Sequence, residues 1–236
     1  ERGCGARILS FAFLQKVGAV FPEGGSGKLT EALEAFLKDN GATIRLLSPV
    51  KSIKVEGDEA KGVVLEDGDE ILAKKAVVSN LNIKQLFLDM VEPQALPPGF
   101  LEEVRHLKPD PFSGFLQVFA LNEAPKYRAG KEVDKTPWIE ICPFLSDLRR
   151  TFREIQEGIP HVNMPLLFVH TLVDPTRAPK GKHTLWVWQF VPYHLKDGGA
   201  AKWDEIRQEI ADDILETVRG YTTNICLLYT SDAADE

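Results

Sequence analysis

The chain has 236 residues, 44% hydrophobic and 27% charged, the composition of an ordinary globular protein with one large domain or two modest ones. Asp plus Glu (35) outnumber Lys plus Arg (28), a formal net charge of −7 that argues against a nucleic-acid binder, which needs a basic face to neutralise phosphates. No run of about 18 apolar residues occurs, so no membrane span is expected, and Cys4, Cys142 and Cys226 lie too far apart for a CxxC pair or a disulfide framework.

The chain opens Glu1-Arg2-Gly3-Cys4, without an initiator methionine or a signal-peptide pattern. The first organised block begins at Phe21-Pro22-Glu23-Gly24-Gly25-Ser26-Gly27-Lys28. Leu29, Leu33, Phe36 and Leu37 then recur at helical spacing, and Asn40-Gly41 stops the helix. Strands are predicted over 42–47 and 50–55, then a meander through 61–66, the Asp67-Gly68 turn and 71–73, and a short buried strand over 76–80. The block therefore reads as mixed α/β, a parallel element attached to an antiparallel insert. Gly24-Gly25-Ser26-Gly27-Lys28 lacks the P-loop and GxGxxG spacings. It is either an anion-binding turn at a helix start or a flexible turn that permits close helix packing.

Short helices are predicted over 83–91 and 100–107, separated by a proline-marked connection. From Phe112 the texture changes to long strands over 112–121, 138–142, 166–173 and 183–191, with prolines near their ends and a helix over 146–156 capped by Ser146. Spacers of about ten residues or more suggest an antiparallel sheet with its own core. Trp186, Trp188 and Phe190 share one face of the last strand, and Leu185, Val187, Gln189 and Val191 the other. One face should meet core or helices; the other either packs or lines an apolar ligand cavity. A helix over 203–218 follows, with Ile206, Ile210, Ile214, Leu215 and Val218 toward one face. From about Cys226 the tail resembles a translated sequencing adapter, the alternative being a frayed terminus. The expectation is an internal fragment of a longer protein.

Chemistry-bearing side chains are sparse. No histidines pair at metal-ligand spacing, no GxSxG elbow appears, and Cys142 is expected to be buried and inert. Gln117 and Gln189 interrupt apolar strands, and each is either an ordinary satisfied or exposed amide or a pocket residue. His170 alternates with apolar residues in a predicted strand, as a hydrogen-bonded core histidine or a substrate-site residue. Asp174-Pro175-Thr176-Arg177-Ala178-Pro179 is turn chemistry. That no catalytic side chain is evident is itself a clue, because in a cofactor enzyme the reactive atoms can belong to the cofactor.

The segment from Phe21 to Leu33, continued by Gly41-Ala42-Thr43-Ile44-Arg45, Val50-Lys51-Ser52-Ile53, Gly62 to Gly68 and Ala76-Val77-Val78-Ser79-Asn80, resembles the phytoene-dehydrogenase-like FAD oxidoreductases, of the wider amine-oxidase type. Leu96-Pro97-Pro98-Gly99-Phe100, Asp174 to His183 and Gln189-Phe190-Val191-Pro192-Tyr193 make it most similar to the pyridine nucleotide-disulfide oxidoreductase domain-containing protein 2 type. The resemblance implies an α/β fold, part of an FAD-binding Rossmann-like domain interleaved with an antiparallel-sheet substrate domain. The expected division is a partial FAD-binding region over 1–91, a substrate domain over 92–202, a returning helix over 203–224 and the tail over 225–236. By the same resemblance, Gly24, Gly25 and Gly27 match the glycine turn near the flavin, Val50 the strand valine at the adenine end, and Ser79 and Asn80 the strand end near the dinucleotide. Gln117, His170 and Gln189 are the substrate-pocket candidates, and no catalytic residue is named. Ser26 departs from the larger apolar residue of relatives, and the GxGxxG segment and the closing glycine-rich segment of the family are not in this sequence. The implied activity is FAD-dependent dehydrogenation or desaturation of a small apolar organic substrate. The alternatives are a flavin-dependent redox-neutral isomerase and a non-catalytic interaction protein. A cytoplasmic location is implied for a bacterial protein and a mitochondrial one for a eukaryotic relative.

Overall fold

The computed structural model describes residues 12–18, 20–108, 110–142 and 144–225. Expectations for Cys4, Cys226 and the tail beyond Ile225 lie outside them. The chain divides into two compact units, one of Glu1–Phe36 with Asp110–Glu236 and one of Leu37–Pro109, where the sequence placed its boundaries near 91 and 202. The division falls inside helix α1 (Ser26–Asp39).

The larger unit is built on a four-stranded antiparallel sheet in the order β4 (Phe112–Leu121), β7 (His183–Pro192), β6 (Leu166–Phe168), β5 (Trp138–Glu140). β4 and β7 pair along their whole length, from Phe112 opposite Pro192 to Leu121 opposite His183. The two-residue period of the strands divides the sheet cleanly. Phe119, Leu185, Val187 and Val191 turn to a face that is almost fully buried, and Ile210, Ile214, Leu215 and Val218 of helix α4 (Trp203–Tyr221) share that core. The helix buries one stripe because its apolar residues recur every three or four positions, and burying each such side chain contributes about 1.5–3 kcal/mol.

The other face is more open. Trp186 is 39% exposed, Trp138 38%, Leu116 48% and Val118 43%. Helix α3 (Leu145–Gln156) reaches one end of it, where Phe152 lies 5.1 Å from the Phe112 ring and 6.4 Å from Phe190. Gly114 is required within this face: a Cβ there would stand 2.3 Å from Nε1 of Trp188, whose indole covers the glycine. α3 starts from Phe144 without a side-chain cap, so Ser146 is not the N-cap that the sequence suggested.

Two further expectations for this unit change. β6 stops at Phe168, and His170–Leu172 form a single 3-10 turn instead of continuing the strand. On one side its neighbour β5 begins at Trp138, opposite Phe168, so that ladder ends there, although β7 runs on to His183 on the other side. Cys142 is exposed rather than buried, although its Sγ lies 3.8 Å from Sδ of Met164.

The smaller unit contains the antiparallel meander β1 (Val50–Glu56), β2 (Glu59–Leu65) and β3 (Glu70–Leu72). The Asp67-Gly68 turn forms where expected: Gly68 takes φ +91°, and the Asp67 carboxylate accepts from the Asp69 N–H at 3.0 Å. Gly62 is needed because a Cβ would meet the Ile71 carbonyl oxygen at 2.2 Å. A π-helical turn (Gln85–Met90) and helix α2 (Phe100–His106) meet through an edge-on Phe87–Phe100 pair with centroids 4.9 Å apart. Residues 42–47 and 76–80 are not strands. Neither segment has a ladder partner among the described residues, and Leu46 (81% exposed), Leu47 (101%) and Val78 (91%) are not covered. The parallel element is therefore absent among the described residues, and mixed helix with antiparallel sheet is what these residues form.

Candidate functional site

A cleft of about 530 Å³ opens in the larger unit between three separate pieces of chain: Val20, Phe21 and Glu23; Thr136, Pro137 and Trp138; and Val173, Asp174 and Pro175. Each wall is fixed by its own local chemistry. The middle wall is tied to the sheet, since the Val169 N–H donates to the Pro137 carbonyl at 2.8 Å and Trp138 pairs with Phe168 in the ladder. The third wall is the start of a 3-10 turn, Pro175–Arg177, for which Asp174 is the N-cap and Pro175 the first residue. Asp followed by Pro is well suited to such a start: the carboxylate accepts from free N–H groups, and proline lacks only an N–H that had no partner.

The Asp174 carboxylate also reaches the first wall. Its Oδ2 accepts from the Gly24 N–H at 2.8 Å and from Nε of Arg177 at 2.8 Å. Its Oδ1 accepts from the Thr176 hydroxyl at 2.5 Å and the Thr176 N–H at 3.2 Å. Arg177 in turn donates from Nη2 to the Pro22 carbonyl at 3.1 Å. Asp174 is only 4% exposed. The Thr176 hydrogen bonds, Arg177 and the Gly24 amide hold its carboxyl well below the usual carboxylate range.

Behind Phe21 stands His170. The Phe21 ring meets it edge-on with centroids 5.1 Å apart, Phe168 stacks on it at 5.8 Å, and Trp186 meets it edge-on at 5.1 Å. Burial first, and then the nearby Arg177 charge, push the imidazole below its ordinary pKa, while Asp174 opposes the shift. His170 is thus a buried ring inside an aromatic cluster, its charged form disfavoured, adjoining the cleft and continuous with the open face of the sheet.

The other pocket candidates fall elsewhere. Gln189 is completely buried on the helix-covered face, where its Oε1 accepts from the Met164 N–H at 3.1 Å and its Nε2 donates to the Phe190 carbonyl at 3.1 Å. Gln117 shares that side of the sheet and donates from Nε2 to the Ala211 carbonyl of α4 at 3.0 Å, its Oε1 being buried without a partner among the described residues. His170 therefore adjoins the cleft, whereas Gln117 and Gln189 lie on the opposite side of the sheet.

Gly24 and Gly25 take positive φ, +80° and +99°, as the turn into α1 requires. Gly27 lies in the first turn of that helix, and a Cβ there would meet nothing within 4 Å. Val50, Ser79 and Asn80 belong to the other unit: Val50 begins β1 opposite Leu65, and the Ser79 hydroxyl accepts from the Leu81 N–H at 3.2 Å.

Three backbone amides of the glycine turn already have partners within the protein. The Gly24 N–H is used by Asp174, the Gly25 N–H donates to the Pro22 carbonyl at 3.0 Å, and the Lys28 N–H donates to the Gly25 carbonyl at 3.1 Å. A carboxylate, paired with Arg177, also occupies the base of the turn.

The chain belongs to the flavin containing amine oxidoreductase family, whose model matches residues 5–222. FAD is the cofactor that this membership implies. The chain is 26% identical over 214 residues to pyridine nucleotide-disulfide oxidoreductase domain-containing protein 2 of Mus musculus, covering 85% of this chain and 36% of the relative. It is 27% identical over 188 residues to a zeta-carotene-forming phytoene desaturase of Myxococcus xanthus, covering 77% and 32%. To a chloroplastic prolycopene isomerase of Daucus carota it is 28% identical over 203 residues, covering 84% and 30%. The chain thus spans about a third of the length of these relatives. A crystal structure of an oxidoreductase from Methanosarcina mazei shares the fold, with a TM-score of 0.54 and 20% identity over 85% of this chain and 40% of that one.

Proposed function

We propose that these residues form the substrate-side part of an FAD-dependent oxidoreductase that dehydrogenates or desaturates an apolar organic substrate, flavin supplying the hydride-accepting chemistry. The observation that carries the substrate class is the open face of the sheet. Leu116, Val118, Trp138 and Trp186 are all between about 38% and 48% exposed, and they adjoin the aromatic cluster around His170. Exposed aromatic and aliphatic residues gathered on one sheet face mark a binding surface rather than scattered surface hydrophobes. The chain's own part in the reaction is to bind the substrate, orient it and exclude water. No acid or base is assigned to it.

The redox-neutral isomerase reading has one support, the similarity to the prolycopene isomerase. The test is to extend the reading frame in the source DNA, purify the encoded protein and measure flavin absorbance. The purified protein is then mixed anaerobically with linear polyenes. Bleaching of the flavin as the polyene gains a double bond supports oxidation. Geometric isomerisation that needs prereduced flavin and consumes no acceptor supports the isomerase. Absence of flavin, with no turnover after FAD is added, overturns both.

A further inference from the structure

We infer that Asp174 is a positioning residue that latches the glycine turn onto the sheet unit and thereby holds Phe21 in the cleft wall. The inference does not depend on what the cleft binds.

Among the described residues the turn has few other polar attachments, its other contact being the Phe21 ring on His170. Residues 21–25 are not part of any strand or helix, and within the turn the Gly25 N–H to Pro22 carbonyl bond at 3.0 Å shapes the loop without attaching it to anything. Among the described residues two polar bonds attach it: the Gly24 N–H to Asp174 and Nη2 of Arg177 to the Pro22 carbonyl. The acceptor of the first bond and the donor of the second form one ion pair, Asp174 with Arg177 at 2.8 Å, whose side chains are only 4% and 17% exposed. Every donor on the carboxylate is local except Gly24, so the 3-10 turn prepares the carboxylate and the glycine amide is what it captures. Capture also requires the backbone geometry of Gly24, whose φ of +80° an L side chain rarely adopts. Phe21 precedes this attachment by three residues and meets His170 edge-on at 5.1 Å. Releasing Gly24 and Pro22 frees the wall that carries Phe21, while β4, β7 and α4 keep their separate core.

The test is hydrogen exchange on the full 236-residue chain and on two variants, read by mass spectrometry over a peptide near residues 20–29 and a reference peptide near 183–192. Asp174→Asn keeps the size of the side chain and removes its charge. Exchange in the turn peptide is expected to rise roughly ten- to hundredfold, the population change that follows loss of a hydrogen bond to a charged acceptor, with the β7 peptide unchanged. Arg177→Gln leaves the Gly24 bond in place and removes the Pro22 tie, so a smaller rise confined to the same peptide is expected. It also keeps the question answerable if Asp174→Asn fails to fold. Equal increases in both peptides mean that the residues only stabilise the fold, and no change in the turn peptide means that the latch does not hold it; either outcome overturns the inference.

Discussion

Gly24 and Asp174 stand 150 positions apart in the chain and are joined by a single backbone-to-carboxylate hydrogen bond of 2.8 Å. That bond brings the start of α1 to the 3-10 turn beside β7, and it makes one cleft out of segments that no local pattern connects. The glycine is as necessary to it as the acid. Replacing Gly24 with alanine puts a Cβ 3.1 Å from Cγ of Lys28 and forces an L residue to φ +80°. The lysine end can move, but the backbone conformation costs about 1–2 kcal/mol. Gly24→Ala is expected to lower the unfolding free energy of the larger unit by about that amount, measured by urea titration of its tryptophan fluorescence. An unchanged midpoint would show that the turn is not held at this φ.

The core between sheet and helix offers a larger effect. Ile214 is fully buried at the centre of the cluster formed by α4, β4 and β7. Ile214→Ala removes buried methyl groups where close packing on both sides limits collapse, and it is expected to cost about 2–5 kcal/mol. The measurement is the same urea titration, with a control at exposed Glu209 on the same helix, whose replacement by alanine is expected to stay within about 0.5 kcal/mol.

Much of this sheet was legible in the sequence. The alternation of Leu185, Val187, Gln189 and Val191 against Trp186, Trp188 and Phe190 states the two faces directly, and the spacing of Ile206, Ile210, Ile214 and Val218 states the helix that covers one of them. The Asp67-Gly68 hairpin was equally plain, because a turn of that kind is decided by its own residues. Strand assignments at 42–47 and 76–80 failed for the opposite reason: apolar composition is local, but a strand exists only through a neighbour. His170 was read as a strand residue because Leu166, Phe168 and Leu172 alternate with it, yet the ladder ends at Phe168. The turn chemistry of Asp174-Pro175-Thr176 was visible, whereas its capture of Gly24 was not, since nothing in either segment names the other.

Gln189 gives a test of how strictly the covered face is satisfied. Its amide is completely buried and accepts from the Met164 N–H at 3.1 Å. Gln189→Leu has nearly the same volume but leaves that buried N–H without an acceptor, at a cost of about 1–3 kcal/mol. A loss of stability in this range, with faster exchange of the Met164 amide, is expected. A neutral or stabilising effect would show that the N–H finds water instead.

Acid should loosen two sites for one reason. Asp174 is lowered by Thr176, Arg177 and Gly24, and Glu154 is lowered by its hydrogen bond to Arg150 at 2.7 Å and by the nearby His161 and arginines. A carboxyl with a depressed folded pKa contributes stability that is fully present above its unfolded value, about 3.9 for Asp and 4.3 for Glu, and that is lost as pH falls toward the folded value. The unfolding midpoint is therefore expected to decline below about pH 4. The Asp174→Asn, Glu154→Gln double variant should start less stable at pH 7 and show a shallower decline. Parallel pH profiles for variant and wild type would assign the acid sensitivity to other groups.

The titration of His170 reads the latch from the other side. Burial and Arg177 both lower its pKa, and Asp174 raises it. Removing the arginine charge with Arg177→Gln is expected to move the His170 titration upward, and removing the carboxylate charge with Asp174→Asn to move it downward. Since the folded imidazole sits below its unfolded value of about 6.5, its contribution to stability is present above that pH and is lost as pH falls below it. Imidazole carbon resonances followed by NMR through pH 4 to 8 separate the two charges from simple loosening of the aromatic cluster. Opposite shifts in the two variants place His170 within reach of an intact ion pair. Shifts of the same upward sign in both would mean that each change merely lets water reach the ring, since solvation alone returns a buried histidine toward its ordinary value.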